Sequence, residues 1–230
     1  MKAVILAAGK GVRLLPLTRD RPKPLLEVCG RPFMDYLIEN LQESGISDFC
    51  FVIGYRKEKM IEYFVKRNVK CDIVFQKEQK GTGHAVGLAE DFVGGENFIL
   101  AMGDNLYSVE DLRKVQKDDG YSYVVGKEVE RPELYGVLSE GSGFLKEIKE
   151  KPKEPAGNLV NTGLYKLTPE IFRALEGTGK SDRGEYEFTD ALNVLAARRK
   201  VKVIKASSFW IDMGSKEDLE RIKGFISKIK

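Results

Sequence analysis

Two kinds of stretch alternate through the first 117 residues, and this alternation limits the fold more than any other feature. Ala3–Leu6, Phe49–Ile53, Asp72–Phe75 and Phe98–Met102 are short strand-like runs, three of them wholly apolar. Between them, Phe33, Tyr36, Leu37 and Leu41 recur at helical spacing behind Pro32, and Met60, Ile61, Phe64 and Val65 read as one helical face. A further helix is predicted from about Gly83. Apolar strands alternating with amphipathic helices predict a parallel sheet covered on both faces.

After Lys117 the pattern changes. Tyr121–Gly126, Tyr135–Ser139, Phe144–Ile148 and Leu159–Leu167 are strand-like runs separated by Gly- and Pro-bearing turns, which predicts a mixed or antiparallel extension. Helices near Pro169–Leu175 and Glu187–Arg199 follow, then a strand over Val201–Ala206 and a helix opened by Ser215. The expected fold class is α/β: a doubly wound, mostly parallel sheet with a mixed β extension.

Composition excludes several functions. The 230 residues fit a single domain, and 38 basic against 35 acidic side chains leave a net charge of +3. Basic and acidic residues are interleaved throughout, so no nucleic-acid partner is expected. The early apolar run Ala3–Ala8 is too short for a membrane span or a signal segment, so no membrane partner and a cytoplasmic location are expected. Cys29, Cys50 and Cys71 form no C-x-x-C pair and suit neither a disulfide framework nor a zinc site; Cys50, among apolar neighbours, reads as a buried thiol. One histidine, His84, leaves chemistry to carboxylates, Lys, Arg and backbone dipoles.

The first strand runs into Ala7-Ala8-Gly9-Lys10-Gly11-Val12-Arg13. Small residues after a first parallel strand let backbone N–H groups approach a phosphate. The dinucleotide fingerprint fails, because Leu14 stands where its third glycine would be. The continuation through Arg13 to Arg21-Pro22-Lys23-Pro24 adds two cations beside a phosphate-sized turn, Arg13 and Lys23, the latter held between prolines. Gly179-Lys180-Ser181 imitates a P-loop, but a helix rather than a strand precedes it and Asp182-Arg183-Gly184 follows as loop, so it reads as a solvated connection. Asp104 ends the strand Phe98–Met102 at a carboxyl edge, and Asp212 follows the apolar run Phe209–Ile211.

The stretch Leu6–Leu26 resembles the signature of the sugar-1-phosphate nucleotidylyltransferases. Gln76-x-x-Gln79-x-Gly81-Thr82-Gly83-His84-Ala85, Gly103-Asp104-Asn105, Tyr135-Gly136, Glu150-Lys151-Pro152, Asn161-Thr162-Gly163 and Trp210-Ile211-Asp212-Met213-Gly214 match in the family's order. The resemblance implies a Rossmann-like nucleotidyltransferase fold, residues 1–117 as the nucleotide-binding half and 118–230 as the sugar-binding half. The GTGHA segment resembles the N-acetylglucosamine-1-phosphate uridylyltransferases, whereas Asp212 is usual in the thymidylyltransferase branch, so UTP and dTTP both stay open. That uridylyltransferase branch usually carries an acetyltransferase β-helix, and no hexapeptide-type tail that could build one is expected here.

The implied reaction joins a nucleoside triphosphate to a sugar 1-phosphate and releases pyrophosphate. Its nucleophile, a phosphate oxygen, is ionised at neutral pH, so no general base is needed; the task is to bring two anions together. Arg13 and Lys23 are the candidates for the triphosphate, with Ala8, Gly9 and Gly11 lending backbone. Asp104 and Asp212 would hold Mg²⁺ through hard oxygen donors. Lys151 would meet the sugar 1-phosphate, with Glu150, Asn161 and the backbone of Gly136 on the sugar. Gln76, Gly81 and Thr82 would read the base, while His84 reads as structural. A guanylyl- or cytidylyltransferase of the same fold and a non-catalytic regulatory subunit are the alternatives, and a homo-oligomer is open.

Overall fold

The computed structural model describes residues 1–181 and 183–229. Asp182, which the sequence assigns to the loop after Ser181, lies outside the described residues. The strands are β1 (Lys2–Ala7), β2 (Glu27–Val28), β3 (Arg31–Pro32), β4 (Asp48–Ile53), β5 (Asp72–Phe75), β6 (Phe98–Met102), β7 (Asn105–Tyr107), β8 (Ser122–Glu128), β9 (Gly136–Gly141), β10 (Phe144–Glu150), β11 (Leu159–Leu167), β12 (Val201–Lys205) and β13 (Trp210–Asp212). The helices are α1 (Phe33–Glu43), α2 (Lys57–Arg67), α3 (Thr82–Gly87), α4 (Glu90–Val93), α5 (Val109–Val115), α6 (Glu170–Glu176), α7 (Phe188–Ala197) and α8 (Lys216–Ile229).

Nine strands make one sheet in the order β5-β4-β1-β6-β11-β8-β12-β10-β9. β5, β4, β1 and β6 are mutually parallel, as the apolar runs predict. β11 enters antiparallel to both β6 and β8, β12 runs parallel to β8, and the β9–β10 hairpin closes the far edge antiparallel. The parallel half and the mixed extension are therefore two parts of one sheet, joined through β11.

Strand side chains alternate between the faces. Ala3, Ile5 and Ala7 enter one core with α1, α2, α5 and α8, while Val4 and Leu6 enter the other with α3, α4, α6 and α7. Cys50 sits in the second core, fully buried, and burial pushes its thiol up to about 12, so it packs as a small apolar group. Among the described residues, no helix is long and apolar enough to cross a membrane.

One face assignment is corrected. In α2 the buried residues are Met60, Tyr63 and Phe64, and Val65 is 77% exposed. At about 100° per residue, Val65 lies roughly 140° around the helix from Met60, away from the core. Three features have no counterpart in the sequence reading: the β2–β3 hairpin, the β7–β13 ribbon and α5. Ser108 caps α5, accepting the Asp111 N–H at 3.1 Å.

Candidate active site

After β1 the chain builds β4 and β5 on one side, then returns to the other side of β1 for β6. The strand order thus reverses between β1 and β6, and ligands of open α/β sheets bind outside the carboxyl ends at such a point. The loop through Ala8, Gly9, Gly11 and Arg13 leaves β1 there, and Gly103-Asp104 leaves β6. The Gly103 N–H donates to the Leu6 carbonyl at 2.9 Å, and a Cβ on Gly103 would stand 2.9 Å from that same oxygen. Only glycine lets the two strand ends approach this closely.

The short ribbon completes the cluster. β7 and β13 pair antiparallel with Asn105 opposite Asp212, and the Met213 N–H donates to the Asp104 carbonyl at 3.0 Å. Asn105 Nδ2 donates to Asp104 Oδ1 at 2.9 Å and reaches Asp212 Oδ1 at 3.5 Å, so one amide spans both carboxylates. Trp210 Nε1 donates to Asn105 Oδ1 at 2.6 Å and fixes that amide. Lys23, buried, donates to Asp104 Oδ2 at 2.5 Å. An ammonium has three N–H donors, so this bond leaves Lys23 able to meet phosphate oxygens as well. Arg13 is exposed and stands beside Asp212: a Cβ on Gly214 would lie 2.9 Å from Asp212 Oδ2 and 3.5 Å from the Arg13 guanidinium.

The two carboxyls titrate apart. Burial opposes ionisation of Asp104, but the Lys23 charge and hydrogen bonds from Lys23 and Asn105 hold it below the usual carboxylate range. Burial and the neighbouring Asp104 charge push Asp212 up to about 6. A pair of hard oxygen donors, one of them short of positive charge, fits a divalent cation. Among the described residues no group of three or more His, Cys, Asp or Glu side chains that could hold a metal ion converges.

The segment Gln76–Ala85 lies at the carboxyl end of β5. Gln76 is buried, and its Nε2 meets the Gly81 carbonyl at 3.0 Å and His84 Nδ1 at 3.1 Å. Gln79 Nε2 donates to the Ala8 carbonyl at 2.8 Å, tying this segment to the glycine turn. The loop before α7 clasps it from outside: Tyr186 N–H donates to Lys80 O and Gly83 N–H to Tyr186 O, both at 2.8 Å. Gly81 takes φ +102°, and a Cβ there would lie 2.4 Å from Tyr186 O. The Thr82 hydroxyl accepts the Phe188 N–H at 3.1 Å, which commits it to the start of α7.

On the far side, Gly136, Glu150 and Asn161 come together, since a Cβ on Gly136 would lie 3.0 Å from Glu150 Oε2 and 3.7 Å from Asn161 Cβ. Asn161 already uses both amide ends, donating to Tyr165 OH at 2.5 Å and accepting the Gly163 N–H at 3.0 Å. Lys151 is exposed, with its Nζ 3.8 Å from Glu150 Oε1 and its N–H bonded to Tyr135 O at 3.0 Å. Lys151 makes no hydrogen bond or ion pair with the Lys23–Asp104–Asp212 cluster among the described residues. Tyr135 and Trp210, edge to face at 5.4 Å, link the two groups. Asn105, Trp210, Tyr135 and Gln79 were in family-like segments, but nothing in their side-chain chemistry alone sets them apart from packing residues.

The nucleotidyl transferase family profile matches residues 2–228. The bifunctional protein GlmU of Methanocaldococcus jannaschii is 40% identical over 232 residues, which cover all of this chain and 55% of that protein. The chain therefore spans about half the length of several curated relatives it matches. The UTP–glucose-1-phosphate uridylyltransferase AglF of Haloferax volcanii is 39% identical, with 95% of this chain and 93% of that protein covered. A crystal structure of UDP-glucose pyrophosphorylase complexed with UDP-glucose superposes with a TM-score of 0.88 at 30% identity, covering all of this chain and 99% of the other. With a family match from end to end and relatives near two-fifths identical, the chain belongs to the nucleotidyl transferase family.

Proposed function

We propose that the protein transfers a uridylyl or thymidylyl group from UTP or dTTP to a sugar 1-phosphate and releases pyrophosphate, with residues 1–117 serving the nucleotide and 118–230 the sugar. UTP and glucose 1-phosphate are the first pair to test, because the name of AglF carries both and the neighbouring crystal structure holds UDP-glucose. The observation that carries the reading is the convergence of Lys23, Asp104, Asn105 and Asp212 at the strand-order reversal, beside the turn that leaves β1.

The chemistry follows from charge. Lys23 and Arg13 draw the triphosphate in, and the backbone of Ala8, Gly9 and Gly11 lies against it. Asp104 and Asp212 would hold Mg²⁺, which when bound neutralises charge on the reacting phosphate and orients it. Lys151 offsets the charge of the incoming sugar phosphate, while Glu150, Asn161 and Gly136 contact the sugar. The nucleophile arrives ionised, so positioning and electrostatics carry the rate and no residue need remove a proton.

The test is pyrophosphate release with Mg²⁺, each nucleoside triphosphate and a panel of sugar 1-phosphates. Release that depends on both UTP or dTTP and a sugar 1-phosphate is expected. Release without sugar phosphate, or none alongside tight nucleotide-sugar binding, would overturn the reading.

A further inference from the structure

The Gln76 amide touches two groups through one atom, and the chemistry of those groups fixes which atom it is. The Gly81 carbonyl lies 3.0 Å away and also accepts the Ala85 N–H at 3.3 Å. A carbonyl oxygen only accepts, so the amide atom facing it is nitrogen. That same nitrogen stands 3.1 Å from His84 Nδ1. The ring nitrogen must then be an unprotonated acceptor, which makes His84 a neutral imidazole with its proton on Nε2. An imidazolium, or the other tautomer, would set donor against donor. With Nε2 engaged twice, Gln76 Oε1 accepts no hydrogen bond among the described residues.

We propose that His84 is a positioning residue for base choice: it holds the Gln76 amide with its oxygen toward the ligand. The site then offers an acceptor, which a base with a ring N–H satisfies and a base with a bare ring nitrogen does not. Uracil and thymine carry that N–H, whereas cytosine presents an acceptor there. The inference rests on the nucleotidyl-transfer reading and supplies a physical cause for its preference for UTP or dTTP over CTP. The surroundings suit a neutral ring. Burial and the Lys80 charge lower the affinity of His84 for a second proton, and Glu78 opposes them only weakly. The frame is held from outside, because Tyr186 bonds both Lys80 and Gly83 and leaves no room for a side chain at Gly81.

His84 is the chain's only histidine, so its ring signals need no assignment. Nitrogen-15 spectra of the unaltered protein at neutral pH should show a neutral ring protonated at Nε2, with Nδ1 bare. Equilibrium titrations with UTP and with CTP, each with Mg²⁺, then measure selectivity. His84→Ala should cut the preference for UTP over CTP by about tenfold, the worth of one well-placed hydrogen bond. His84→Asn, whose side-chain oxygen can accept at the same position, should restore most of it. If the alanine variant does not fold, the spectrum and the asparagine variant carry the test. A proton on Nδ1, or a His84→Ala preference within about twofold of the original, would overturn the proposal. Failure to bind either nucleotide, with the ring found as described, would instead overturn the functional reading.

Discussion

Asp104 and Asp212 share one amide donor, yet burial and charge drive their proton affinities in opposite directions. Asp212 is raised to about 6, so the folded metal-free protein holds its proton more tightly than the unfolded chain does. The sign follows by linkage: stability from this group is complete below the ordinary Asp value near 4 and is lost as pH rises through about 6. Asp212→Asn should therefore raise the melting temperature of the metal-free protein at pH 8 by removing up to ~2 kcal/mol of strain, with little gain at pH 4. Calorimetry at both pH values checks this, and Mg²⁺ should stabilise the unaltered protein more at pH 8 than at pH 5. Activity should move the other way. Asp104→Asn and Arg13→Ala should each lower kcat by roughly a hundred- to a thousandfold without altering the circular dichroism spectrum. An unchanged rate in either variant would remove that residue from the mechanism.

At the scale of elements, the long, strongly patterned segments were legible and the small ones were not. β5, β6 and β11 have the bounds the sequence predicts; for β6, buried from Phe98 to Ala101, the reason is the uninterrupted hydrophobic signature of a strand covered on both faces. The β7–β13 ribbon, three residues a side, has too few positions to show any period, yet it unites Asn105 and Asp212 across 107 residues. Asp104 and Asp212 could be suggested as partners from the sequence; the tether between them, Asn105 held by Trp210, could not, since it exists only once the ribbon is paired. Trp210→Phe keeps the ring's packing on Tyr135 but strands the Asn105 oxygen, so stability should fall by about 1–3 kcal/mol and metal affinity with it. Urea midpoints and a magnesium titration measure the two effects. The clasp of Tyr186 around Gly81 is equally local. Gly81→Ala should cost at least about 1–3 kcal/mol in the same urea assay, since its left-handed backbone and the Tyr186 carbonyl both oppose a Cβ.

At the scale of the molecule, the sequence separates two halves by a change of pattern near Lys117, and that division follows real differences in strand direction. It gives no sign that the halves share backbone hydrogen bonds, because register between distant strands leaves no mark in local composition. β11 supplies them, pairing with β6 on one side and β8 on the other. Heat should therefore unfold the protein in one transition with equal calorimetric and van't Hoff enthalpies, and two separable transitions would contradict this. The same splice governs how the cleft can move. A hinge between the halves would have to shear a continuous ladder, so they cannot swing apart like jaws to admit substrate. Enclosure is left to the rim, above all to the long turn after β1, with the sheet as its anvil.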